Sequence, residues 1–412
     1  MDLEWLRIVV VGHVDHGKST LIGRLLHDSG ALPDGRLEEI RTDAGGGLEW
    51  ALLLDHLREE REQERTIDST QAFFATSRRV YRIIDAPGHR EFLKNMVTGA
   101  AQADAAVLVV DVEAGVLEQT RRHAAMLAML GQRRVVAAIN KMDLVDGRRG
   151  EFETAANDTR ALLAQVGLAA RYVIPISARH GWNLASREAA LDWYDGPTLF
   201  EALDSLEPPA PRERQALRFP VQDVYEINGG KLVVGRIESG RLAQGQELVC
   251  LPSGGAVRVA SVERFLEHRT SAEAGESIGL TLEGQHAVRR GDVLCEAGSP
   301  PEVAARFEAN LFWLGESGWS RGDALSVRCA TQETPCRIES VLRRINSSTL
   351  EVIEAGAARL EATEVAHAVL VVDKPIVVED FAGGSALGRF VLMKNQRLSA
   401  GGTITGIWSW GS

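Results

Sequence analysis

The chain has 412 residues, which at roughly 100–200 residues per domain predicts two to four domains. Hydrophobic residues make up 45% and charged residues 25%, a balance that excludes a mainly disordered or collagen-like chain. The net charge is −11, from 46 basic and 57 acidic side chains. Residues 1–207 hold 24 and 32 of them and the remainder 22 and 25, so neither half has the basic excess of a general nucleic-acid or membrane-surface binder.

Met1-Asp2-Leu3-Glu4 is acidic and runs into a strand pattern, which does not read as a signal peptide. No apolar run approaches the roughly 18 residues of a membrane span, so a soluble, cytoplasmic protein with no membrane partner is expected. The short apolar runs at Ile8–Val11, Val107–Val110 and Val135–Ile139 suit parallel strands buried on both faces. Val80–Ile84 and Tyr172–Ile174 read as strands too, and Thr20–His27 and Thr120–Leu130 as helices. Alternating strand and helix predicts an α/β domain over 1–207.

Pro208-Pro209-Ala210-Pro211 breaks that pattern and predicts an extended linker. After it the spacing becomes strand-like at Arg218–Tyr225, Lys231–Glu238, Glu247–Leu251 and Ala256–Val262, with glycine-rich turns between. Gly298-Ser299-Pro300-Pro301 marks a second boundary, followed by strands at Leu325–Cys329, Ala368–Val372 and Gly388–Leu392. The expected architecture is a multi-domain chain: an α/β P-loop domain at 1–207, then two β-barrel domains at 208–299 and 300–412. Cys250, Cys295, Cys329 and Cys336 form no C-x-x-C pair and read as separate core thiols in a reducing compartment.

Gly12-His13-Val14-Asp15-His16-Gly17-Lys18-Ser19 fits G-x-x-x-x-G-K-[ST], between a strand and a helix that begins with Thr20. Its glycines let backbone amides turn toward phosphate oxygens, and the helix N-terminus adds a positive dipole end. Lys18 is expected on the β- and γ-phosphates and the Ser19 hydroxyl on Mg²⁺. Asn140-Lys141-Met142-Asp143 follows a buried strand, at the end where open α/β sheets bind ligands. The Asp143 carboxylate can accept from the N1–H and 2-amino group of guanine, a donor pair that adenine lacks, while the Lys141 stem lies along the base. Ser177 and Ala178, in Ile176-Ser177-Ala178, offer a backbone amide to the guanine O6. Asp85-Ala86-Pro87-Gly88-His89 places an aspartate for Mg²⁺ through water, the Gly88 amide for the γ-phosphate and His89 for the attacking water. Thr66 is the expected second switch residue, its hydroxyl completing the Mg²⁺ shell only with GTP. GTP/GDP and Mg²⁺ are therefore the expected cofactors, with His89, Lys18 and Thr66 as the catalytic set.

The motifs GHVDHGKST (12–20), DAPGH (85–89), NKMD (140–143) and ISA (176–178) resemble the translational GTPases of the elongation factor Tu and elongation factor 1A type, over the whole chain. Val234–Gly240 with Gly245-Gln246-Glu247 resembles that family's second domain. Within it, residues 52–63, 115–131 with 135–146, and 193–207 are most similar to the GTPase subunit of bacterial sulfate adenylyltransferase, although parts also occur in elongation factor 1A. That resemblance implies a GTPase coupled to sulfate adenylylation by a separate catalytic ATP sulfurylase subunit. The alternative is a factor that delivers aminoacyl-tRNA. The family pattern has Gly-Ile before the switch threonine, the Ile packing on the valine equivalent to Val14. Here Glu64 and Arg65 stand there, which implies an open gate, a mobile switch, or an arginine supplied in cis, beside the plainer reading of a solvated arginine in the mixed-charge run 58–65.

Overall fold

The computed structural model of the protein describes residues 4–32, 50, 71–85, 103–208, 210–227, 230–264, 267–284, 287–315, 317–381 and 384–409. These fall into two compact units, residues 1–208 with 347–350, and residues 209–346 with 351–412.

The first unit is built on a six-stranded sheet. Its strands are β1 (Glu4–Gly12), β2 (Gln71–Ala75), β3 (Arg79–Asp85), β4 (Ala105–Asp111), β5 (Val135–Asn140) and β6 (Ala170–Pro175), in the order β2-β3-β1-β4-β5-β6. All neighbours are parallel except β2, which runs antiparallel to β3. Every residue of β4 and β5 is buried, as expected for strands that lack a solvent face. Among the described residues its α-helices are α1 (Lys18–Asp28), α2 (Glu118–Met129), α3 (Arg149–Gln165) and α4 (Leu199–Asp204). Leu21, Ile22 and Leu25 of α1 pack in one cluster with Ile8, Val10, Val107 and Val136 of the sheet. β1 lies between β3 and β4, so the strand order reverses there and a crevice opens at the strands' carboxyl ends. The residues nominated from the sequence that are described here follow or end β1, β3, β5 and β6 at that edge.

The second unit holds two closed barrels. In the first, Glu247–Leu251, Val293–Cys295, Arg218–Ile227, Gly230–Arg236, Ser277–Leu282 and Gly255–Arg264 pair in that order, and the last returns to the first. In the second the ring is Leu325–Cys329, Arg389–Lys394, Arg397–Ser409, Glu302–Trp313, Val365–Val378 and Gln332–Ile345, again closed. The alternation that identifies such strands is plain in Gln332–Ile345, whose first eight residues are buried and exposed in turn. The four cysteines are buried and unpaired, and burial pushes each thiol up, to about 12 for Cys250, Cys329 and Cys336 and about 11 for Cys295. Among the described residues no helix is long and apolar enough to cross a membrane.

An apolar cluster of Leu251, Val293, Cys295, Val377 and Leu387 joins the two barrels. Beside it Arg218, 7% exposed, donates through Nε to Glu379 Oε1 at 2.8 Å, with Nη2 at 2.6 Å, and the Ser385 hydroxyl donates to the other carboxylate oxygen. Removing one partner of such a pair strands the other charge away from water. Glu379→Ala is expected to lower the stability of the barrel unit by about 3 kcal/mol, read as a lower denaturant midpoint by far-ultraviolet circular dichroism.

Candidate functional site

The chain leaves β1 at Gly12, loops through 13–17 and enters α1 at Lys18. Gly17 caps the helix at φ +89°, and a Cβ there would lie 2.4 Å from Asn140 Nδ2, so no larger residue fits. The cap brings no side-chain hydrogen bond and the first turn of α1 holds no acidic residue. Its amide dipoles therefore face the crevice without a protein anion of their own turn. Lys18 Nζ donates to the His13 carbonyl at 2.7 Å, which folds the ammonium back over the loop.

Two side chains of α2 hold the same loop from the far side. The Gly12 amide donates to His123 Nδ1 at 3.1 Å and the Val14 amide to Gln119 Oε1 at 3.1 Å. His16 Nδ1 lies 3.3 Å from both the Val109 carbonyl and the Asp111 amide, so a neutral ring satisfies one or the other. Its Nε2 is buried without a hydrogen-bond partner. Burial lowers His16 from 6.5 to about 4 and His123 from 6.5 to about 3, with the Lys18 charge acting in the same direction on both. Both rings are thus neutral at physiological pH, and positive charge at the loop comes from Lys18.

The Asn140 carboxamide ties three segments together. Its Nδ2 donates to the His16 carbonyl at 2.9 Å, and its Oδ1 accepts from the Ala178 amide at 2.9 Å. The Ala178 amide, expected from the sequence on the guanine O6, here donates to Asn140. Asp143 Oδ1 accepts from the Ser177 hydroxyl at 2.5 Å, while its Oδ2 lies 3.7 Å from His180 Nε2. Lys141, at φ +66°, pairs with Asp111 Oδ2 at 2.7 Å. Burial alone would raise the Asp111 carboxyl, but Lys141 and the amides of Ala114 and Glu113 hold it below the usual carboxylate range. The salt bridge fixes the Lys141 stem across the mouth between β4 and β5.

Of the nominated residues, Gly12, His13, Val14, Asp15, His16, Gly17, Lys18, Ser19 and Thr20 form one continuous loop and helix start, with Asn140, Lys141, Asp143, Ser177 and Ala178 around it. Asp85 ends β3 in register with Val10 of β1, at the same edge of the sheet. Thr66, Gly88 and His89, and with them Glu64 and Arg65, lie outside the described residues. The sequence reading did not nominate Asp111, Gln119 or His123. A usable signal existed for Asp111, a carboxylate ending an apolar strand as Asp85 does. Gln119 and His123 carry none in their local spacing.

Residues 4–209 match the family described as elongation factor Tu GTP binding domain, 230–295 match elongation factor Tu domain 2, and 306–405 match a GTP-eEF1A C-terminal domain-like family. The chain is 39% identical to elongation factor 1-alpha of Archaeoglobus fulgidus over 94% of both chains. It is 39% identical to that of Methanopyrus kandleri over 97% of both, and 37% to that of Pyrococcus woesei over 98% of both. A solved structure of sup35 complexed with GDP matches 99% of this chain and 95% of its own at 26% identity and a TM-score of 0.47. These relatives overturn the expectation of a sulfate-adenylylation subunit, and with it the expected ATP sulfurylase partner: proteins alike over nearly the whole length carry the name elongation factor 1-alpha.

The depressed histidines give a pH prediction. The unfolded chain takes up protons near 6.5 that the fold refuses until about 4 at His16 and about 3 at His123, so stability falls as pH drops through that window. In His123→Gln one such linkage is gone. The wild type should therefore lose more thermal stability than the variant between pH 6.5 and pH 4, while a constant gap across that range would contradict a buried neutral His123.

Proposed function

We propose that this chain, which belongs to the elongation factor Tu and elongation factor 1-alpha family of GTP-binding proteins, is a translation elongation GTPase that carries aminoacyl-tRNA in its GTP form. The observation that carries this reading is 37–39% identity to proteins named elongation factor 1-alpha across 94–98% of the chain, with the GTP-binding segment and both following segments matched in order. The net charge of −11 does not oppose it, since a tRNA contact needs a local basic patch and not a basic chain. A cytoplasmic location follows from the same role. We also propose the division 1–207, 208–299 and 300–412 as the three functional domains.

In this reading Lys18 and the amides at the start of α1 neutralise the β- and γ-phosphates. The Ser19 and Thr66 hydroxyls would hold Mg²⁺, with the Asp85 carboxylate reaching it through water, a hard oxygen set of the kind Mg²⁺ takes beside phosphate oxygens. When bound, Mg²⁺ supplies further charge neutralisation at the phosphates. The Gly88 amide reads the γ-phosphate, and His89 orients the attacking water. Asp143 accepts from N1–H and the 2-amino group of guanine, with Lys141 along the base, held there by Asp111. Positioning and electrostatics carry nearly all of the catalysis.

Two measurements test the proposal. The GTP-analogue form should slow spontaneous hydrolysis of the ester of an aminoacyl-tRNA, and the GDP form should not. Equal hydrolysis with both forms would reject the tRNA role while leaving GTP binding intact. Asp143→Asn replaces an acceptor by a carboxamide that donates to the 2-oxo group of xanthine. Loss of one charge-assisted base contact is expected to weaken GTP by about 100-fold, on the order of 3 kcal/mol, and to make xanthosine triphosphate the preferred nucleotide, as judged by equilibrium binding.

A further inference from the structure

The loop that follows β6 is gripped from two sides. On one side its Ser177 hydroxyl and Ala178 amide meet Asp143 and Asn140. On the other, the carbonyl of Arg179 accepts two hydrogen bonds, from Trp50 Nε1 at 3.3 Å and from Arg24 Nη1 at 3.2 Å. Arg24 belongs to α1, the helix that begins at the phosphate loop, and its Nε is fixed by Asp28 at 2.7 Å. Its guanidinium stands 5.3 Å from the Trp50 ring centroid, and the His27 ring packs on the same indole at 4.7 Å. Trp50 is 4% exposed and lies in the core cluster of the sheet. The loop makes room for the guanidinium by a glycine: Gly181 sits at φ +80°, and a Cβ there would fall 2.2 Å from Arg24 Nη2.

We propose that Trp50 and Arg24 are positioning residues for base recognition, fixing the 177–181 loop against Asp143 through the Arg179 carbonyl. The proposal rests on the reading in which Asp143 recognises guanine. Its physical content is geometric. Asp143 has one oxygen bonded to the Ser177 hydroxyl, so any drift of the loop drags or releases that oxygen. The Asn140 side chain spans the loop and the His16 carbonyl, so drift there also loosens the floor of the phosphate loop only indirectly, through a single carboxamide. A carbonyl held by an indole N–H and a guanidinium at once has little freedom to rotate. Because Arg24 lies about one and two-thirds helical turns from Lys18, the same helix sets the distance between the phosphate and base ends of the nucleotide site.

Trp50→Phe keeps an aromatic ring near His27 and Arg24 while removing the N–H donor together with the second ring. Arg24→Gln removes the charge and the fork. Affinity for GDP and for inorganic pyrophosphate is measured by calorimetry on the full chain, alongside Asp143→Asn. GDP binding should weaken about threefold in Trp50→Phe and about tenfold in Arg24→Gln, while pyrophosphate, which has no base, binds as in the wild type. Unchanged GDP affinity in both variants, or equal losses for GDP and pyrophosphate, would overturn the positioning role. The control separates the two levels. If Asp143→Asn switches to xanthosine diphosphate while Trp50→Phe and Arg24→Gln leave GDP alone, the clamp is wrong and base reading stands. If Asp143→Asn keeps its preference for guanine, base reading itself fails and the clamp proposal falls with it.

Discussion

The carboxamide of Asn140 is the junction on which the nucleotide-binding edge of the sheet depends. It is 2% exposed, and it spends its donor on the phosphate loop at His16 and its acceptor on the base loop at Ala178. Neither loop has regular secondary structure to fix it, and their separation along the chain exceeds 150 residues. A buried amide with both ends satisfied sets their distance without leaving an unmatched polar group in the interior. The absence of a Cβ at Gly17 belongs to the same arrangement, because the space beside that glycine is where the Asn140 amide reaches His16. Shape and hydrogen bonding thus specify one another here: an asparagine needs the glycine, and the glycine's left-handed backbone starts the helix that faces the phosphates.

Around this junction Lys18 donates to the carbonyl of His13 in the phosphate loop, and neighbouring cations are held by carboxylates. Lys141 is paired with Asp111, which is in turn held by two backbone amides. Arg24 is paired with Asp28 and bent toward the Arg179 carbonyl. His16 and His123 are kept neutral by burial. A polyphosphate entering the loop therefore meets Lys18 and backbone dipoles, and it displaces no protein carboxylate from the first turn of α1. The neutral His123 ring accepts from the Gly12 amide, and the neutral His16 ring either donates to the Val109 carbonyl or accepts from the Asp111 amide.

Much of this was legible in the sequence, for reasons that are physical. Strands β4 and β5 announce themselves because a strand buried on both faces has no polar alternation to confuse it. The barrel strand Leu325–Cys329 ends where the alternation ends. The phosphate loop is legible because backbone curvature demands glycine at fixed positions. Helix α3 was harder: its buried positions 152, 155, 156, 159, 162 and 163 do follow helical spacing, but alanine and threonine dilute the apolar stripe. What no local pattern reveals is pairing across long separations. Gln119 with Val14, His123 with Gly12 and Trp50 with Arg179 are joined by the sheet and not by spacing. The biological role was illegible for a related reason. The residues that bind and hydrolyse a nucleotide are the same whatever the switch controls, so the motifs that identified the enzyme class were silent on its partner.

The two units answer different constraints, and this explains where variation is tolerable in each. In the sheet unit the site is assembled from strand ends, so each loop is only as precise as the side chains that anchor it. Precision there comes from polar groups: Asn140, Ser177, Asp111, Gln119. In the barrel unit closure removes free strand edges, and the alternating interior is largely apolar, with the buried Gln332 carboxamide bonded to the Val377 carbonyl and amide. Arg344 with Glu364, bonded at 2.7 and 2.8 Å, is one charge pair largely removed from water, and the pair of Arg218 with Glu379 lies beside the apolar cluster that joins the barrels. An ion pair at that place adds direction to an otherwise greasy contact, because its two-point geometry permits one orientation where Leu251, Val377 and Leu387 alone would permit several. The loops at the strand ends, by contrast, are set by the smaller polar contacts of Asn140, Ser177 and Asp111.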